Sequence, residues 1–164
     1  MISRGVQISF SAACLVLPWA VLGCGENKSP PPEKAQVRLG GRTWNVELAM
    51  TDSRRYAGLS GRRELPPDGG MLFVYPQEQK LSFCMRGCEI PIDIAFLDRN
   101  LRVVNLYEMA VEPDRLGRTS YLSHVPVLYA LEVAGGALKR AGVRVGDRAE
   151  FFGVPPAEQA EPGQ

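Results

Sequence analysis

Apolar and polar residues alternate with a period of two over residues 37–39 and again over 44–48, on either side of Gly40-Gly41. A two-residue loop at those glycines sets Leu39 opposite Arg42 and Val37 opposite Trp44, so the apolar side chains share one face and a hairpin is predicted. Over residues 51–61 the spacing turns helical. Thr51 is suited to cap this short helix, Tyr56 and Leu59 share a face, and Gly61 can end it. Compact apolar runs at 71–75 and 81–85, bounded by Pro66-Pro67, Asp68-Gly69-Gly70 and Pro76, read as strands. Residues 92–97 and 101–107 flank a turn at Asp98-Arg99-Asn100 and form a second candidate hairpin. Residues 127–133 and 148–152 are further strands, and 136–141 make one or two helical turns closed by Gly142. Many short strands with few helices, and no repeat, predict a mainly β single domain: a sandwich or jelly-roll-like roll with one or two short helices.

The chain's two ends break this pattern. Residues 1–23 carry Arg4, then an apolar stretch from Ile8 to Leu22 and the small Gly23, which together read as a bacterial signal peptide. Val21-Leu22-Gly23-Cys24 resembles a lipobox, and the resemblance implies diacylation of Cys24 as the new amino terminus. Two acyl chains anchor stably where one is marginal. A membrane span is the weaker rival, because Ser9, Ser11 and Pro18 interrupt a stretch already short of the ~20 apolar residues a span needs. Residues 24–35 then form a Pro-rich tether, 36–153 the folded domain, and 154–164 a disordered tail. Among 164 residues, 19 Lys and Arg face 18 Asp and Glu. That balance argues against nucleic-acid binding, which calls for a basic stripe. The expected address is the cell envelope, outside the cytoplasm, and the expected state is a monomer.

Residues 58–76 (GLSGRRELPPDGGMLFVYP), 82–98 (SFCMRGCEIPIDIAFLD) and 129–151 (YALEVAGGALKRAGVRVGDRAEF) together resemble the family known as domain of unknown function 192. The three ordered blocks span about residues 43–152. The resemblance implies a small, mainly β, often exported domain, and it implies no settled activity, substrate or cofactor. The chain departs from the family pattern at Cys84, where an aromatic is common, at Gly87, where Asn is typical, and at Ser60, where Met is.

Few residues carry recognisable chemistry. His124 is the sole histidine, so a histidine-rich metal site is excluded and no metal or cofactor is expected. A nucleophilic pairing of His124 with Cys84 or Cys88 lacks any local signature. Once Cys14 leaves with the signal and Cys24 is lipidated, Cys84 and Cys88 are an even pair in an oxidising compartment, which favours a disulfide. In a continuous strand they would stand ~13 Å apart, against the ~7 Å limit for a bond, so the bond requires a turn at Gly87.

The charged residues inside apolar blocks are the candidate ligand-binding set: Arg62, Arg86, Asp93 and Glu132. Asp93 shares a strand face with Ala95 and Leu97, and Glu132 shares one with Leu128 and Ala130. A carboxylate on an apolar face is costly unless paired, and Arg62 and Arg86 are the available partners. Such a cluster either fixes strand register internally or binds a sugar-like or anionic small ligand. The expectation is a lipid-anchored envelope protein whose domain binds such a ligand or an envelope protein, without catalytic residues. The alternative is an extracytoplasmic hydrolase using Asp93 and Glu132 as a carboxylate pair.

Overall fold

The computed structural model describes residues 35–162. The leader, the lipobox with Cys24, and nearly all of the tether lie outside the described residues. The first hairpin joins β1 (Ala35–Leu39) to β2 (Arg42–Ala49). Its register places Val37 against Trp44 and Leu39 against Arg42, as the alternation predicts. Gly40 and Gly41 both take positive φ, at 58° and 74°, which a two-residue loop of this hand requires.

Helix α1 (Asp52–Ala57) follows, with Thr51 Oγ1 accepting the Arg54 backbone N–H at 3.3 Å. It stops at Gly58, three residues before the predicted end, because Gly58 takes a positive φ and its N–H closes on the Arg54 carbonyl. Leu59 then drops into the core while Tyr56 stays at the surface, 74% exposed, so the two do not share a face.

Strand β3 (Gly69–Gln79) runs parallel to β2, making β2–α1–β3 a crossover unit. The predicted strand at 81–85 shrinks to β4 (Ser82–Phe83), since only those two residues find a partner strand and the chain turns at Arg86-Gly87. β5 (Ile92–Leu97) and β6 (Val103–Met109) form the second hairpin. β7 (Tyr121–Leu122) pairs with β4. β8 (Val127–Ala134), α2 (Ala137–Arg140) and β9 (Glu150–Phe152) complete the domain. Seven strands make one mixed sheet in the order β6-β5-β8-β3-β2-β1-β9, and β4 and β7 make a small second one. The domain is mainly β, with two short helices.

Both faces of the large sheet are covered. One buries Trp44, Leu72, Leu97 and Leu131 under Leu138 of α2 and Val143. The other buries Met71, Phe73, Ile94 and Phe96 beneath Leu59, Leu81 and Met85. This explains why all six residues of β5 are buried.

The expectation of a disordered tail fails for residues 154–162. A single 3-10 turn (Ala157–Gln159) buries Ala157 and Ala160, and the Glu161 N–H bonds to the Met50 carbonyl at 2.8 Å. Composition hid this, because two alanines and a backbone bond give no hydrophobic period.

Candidate functional site

Strand β8 passes between β3 and β5, with Glu132 opposite Met71 on one side and Ile94 on the other. The pleat therefore sends Glu132 to the Phe73–Phe96 face. There the α1–β3 connection and the loop between β4 and β5 arch over it. A cavity of about 250 Å3 remains beneath them, walled by Phe73, Tyr75 and Phe83, with Glu132 at its base and Arg86 at its rim. The glycine beside it is a packing requirement: a Cβ on Gly70 would fall 2.5 Å from the Glu132 carbonyl oxygen.

Glu132 is 5% exposed. Among the described residues nothing pairs with its carboxyl or donates to it, and burial alone pushes it up to about 8. Burial likewise pushes the neighbouring Cys88 thiol up to about 11, with Glu132 and Cys84 adding to the effect. The Tyr75 hydroxyl is pushed up to about 12, chiefly by burial. All three groups are thus mainly protonated at pH 7, so the base of the cavity presents neutral polar atoms within an aromatic wall.

Arg86 is held flat. Its guanidinium lies 3.8 Å from the centre of the Tyr56 ring and donates to the Tyr56 carbonyl at 2.7 Å. Its loop is pinned by Ser60 Oγ donating to the Arg86 carbonyl at 2.7 Å and by the Gly87 N–H bonding the Arg115 carbonyl at 2.9 Å. Among the described residues Arg86 has no carboxylate partner. Arg55 also borders the cavity, but its guanidinium is committed to the Asp52 carboxylate and the carbonyls of Met50, Val74 and Glu161.

The other residues singled out in the sequence lie elsewhere. Arg62 grips Glu47 through two bonds of 2.5 and 2.8 Å, which raises the arginine and lowers the carboxyl. Asp93, 1% exposed, accepts the N–H groups of Gly136 and Leu138 at 2.8 and 2.9 Å, capping α2 from a neighbouring strand. The expected pairing of these carboxylates with Arg62 and Arg86 does not form. Asp93 and Glu132 also leave opposite faces of the sheet, since Ile94, not Asp93, lies opposite Glu132. The carboxylate pair of the hydrolase alternative is therefore ruled out by the pleat.

Cys84 and Cys88 are free thiols, not a disulfide. The turn closed by the Cys88 N–H on the Met85 carbonyl at 3.2 Å leaves Cys84 exposed and Cys88 buried. His124 bonds the Tyr107 hydroxyl at 3.0 Å, away from the cavity lining. Among the described residues no group of three His, Cys, Asp or Glu side chains could hold a metal, and no helix is long and apolar enough to cross a membrane. Sequence reasoning missed Tyr56 as the platform under Arg86. No local signal marks it, because the two residues meet only through contacts thirty positions apart.

The family model described as "Uncharacterized ACR", DUF192, matches residues 35–151, which include every residue of the cavity. The chain belongs to the DUF192 family. Two solved structures are similar to this DUF192 domain. One is a proposed transcription regulator (R01717) from Sinorhizobium meliloti 1021, 36% identical, covering 74% of this chain and 95% of that one with a TM-score of 0.65. The other is a protein of unknown function from Novosphingobium aromaticivorans DSM 12444, 31% identical, covering 71% and 83% with a TM-score of 0.64. No curated protein matches the chain.

Proposed function

We propose that this protein is an envelope lipoprotein, held to a membrane by a lipidated Cys24, whose DUF192 domain binds a small polar molecule in the Glu132 cavity without catalysis. The observation that carries the reading is the unpartnered carboxyl of Glu132, 5% exposed at the base of a cavity. Asp93, on the other face, shows how this fold satisfies a structural carboxylate, with two backbone donors, whereas the Glu132 carboxyl opens onto the cavity. Glu132 has no such arrangement, and a ligand in the cavity supplies its missing partner. A DNA-binding reading, suggested by the description of the Sinorhizobium relative, gains no support from a formal net charge of +1.

Thermal unfolding of the full chain against a library of polar metabolites tests the binding. Ligand at ~100 times its dissociation constant adds ~2.7 kcal/mol, a shift of several degrees. The shift should disappear in Glu132→Gln and persist in Asp93→Asn; the reverse outcome places binding elsewhere. Membrane fractionation tests the anchor. Cys24→Ala should move the protein to the soluble fraction, and a variant that still sediments with membranes rejects lipidation.

A further inference from the structure

We infer that the ligand of this cavity is a small zwitterion of the amino-acid class, its ammonium group received by Glu132 and its carboxylate by Arg86. The inference rests on reading the cavity as a ligand site, and it adds the chemistry of what fits there. Its basis is a juxtaposition. A carboxyl at the base and a guanidinium at the rim line one cavity, neither has an oppositely charged partner among the described residues, and they do not pair with each other. Because no ion pair joins them, the carboxyl and the guanidinium both remain open to a molecule carrying one charge of each sign.

Three further features fit that occupant. Arg86 is preorganised by the Tyr56 ring, and only its Nη2 donates within the protein, so the rest of the fork is free to meet a carboxylate. The walls near the base are aromatic, with Phe73 and Phe83 edge to face at 4.8 Å, which gives the occupant's carbon atoms an apolar lining. The volume of about 250 Å3 lies below the usual range for drug-sized ligands and suits a small occupant. A phosphate or dicarboxylate matches Arg86 but meets an acid at the base.

The ionisable groups lining the cavity with Glu132 are Tyr75 from β3, Arg55 and Tyr56 from α1, and Cys84, Arg86 and Cys88 from the loop between β4 and β5. None supplies it with a bound cation. At pH 7 Glu132 holds its proton, so an incoming ammonium must displace that proton to the buffer.

Isothermal titration of the full chain tests this. The probes are the standard L-α-amino acids and the ω-amino acids from glycine to 6-aminohexanoate, with butylamine, butyrate and glucose as controls. Measurements at pH 7 in two buffers of different ionisation enthalpy count protons. The expected result is a zwitterion binding at least tenfold more tightly than butylamine or butyrate, releasing close to one proton. Glu132→Gln should abolish the proton release, and Arg86→Gln should cost at least tenfold while Arg86→Lys costs less. Melting curves confirm that each variant is folded. Binding of butyrate or glucose without proton release, lost in Glu132→Gln, would overturn the zwitterion and leave the cavity standing as a ligand site. Failure of every probe also overturns the zwitterion, and the metabolite screen then decides the broader reading independently.

Discussion

At the scale of single residues, two buried acids on neighbouring strands have opposite fates. Asp93 finds two backbone donors and Glu132 finds none, and the difference should appear in the pH dependence of stability. A carboxyl at about 8 in the folded state against an ordinary value of 4.5 binds its proton more tightly when folded. Its contribution to stability is complete below about pH 4.5 and is lost as pH rises through about 8. The loss is on the order of 3–5 kcal/mol, at ~1.4 kcal/mol per pKa unit. Chemical denaturation from pH 4 to 9 should show this decline in the parent, and Glu132→Gln should flatten it. The cysteines give a second residue-scale prediction. With Cys88 at about 11, only about a thousandth of it is thiolate at pH 8. Iodoacetamide followed by peptide mapping should therefore modify the exposed Cys84 and spare Cys88 in the native protein.

At the scale of elements, the amino-terminal cap of α2 comes from a residue of another strand. Asp93→Ala removes two charge-assisted bonds and leaves the N–H groups of Gly136 and Leu138 unmet, so it should cost ~2–4 kcal/mol in urea denaturation. Ligand binding on the opposite face should be unchanged. Elements whose register is fixed locally were legible in the sequence. The Gly40-Gly41 hairpin and the β5–β6 hairpin follow from neighbouring residues alone. Elements defined by distant partners were not. The β2–β3 pair is parallel because α1 carries the chain back across the sheet, and β7 exists only because β4 lies beside it. The site divides in the same way. Glu132 stood out as an acid in an apolar run, whereas its face depends on the register of β8 between β3 and β5, and Arg86 joins it only through a long-range fold of its loop.

At the scale of the whole molecule, the C-terminal segment contributes to the core. Glu161 meets the Met50 carbonyl through its N–H, while its own carbonyl receives Arg55 at 2.6 Å and its carboxylate the Asp52 N–H at 3.2 Å. Deleting residues 156–164 should therefore lower stability by about 1–3 kcal/mol, read as a melting point roughly 5–10 °C lower. A truly disordered tail would leave the melting point unmoved.

The strand order β5-β8-β3 also has a consequence for how the chain comes into being. β8 is the central strand of that trio, yet it begins only at Val127. Until a ribosome has released it, β3 and β5 have no native partner on their inner edges, and the sheet exists as two unjoined halves. The domain cannot close progressively from its amino terminus; it closes once, late, when a single strand slots between the halves and completes the cavity wall with Glu132. A nascent chain halted short of that strand would expose two open edges prone to pairing with other chains.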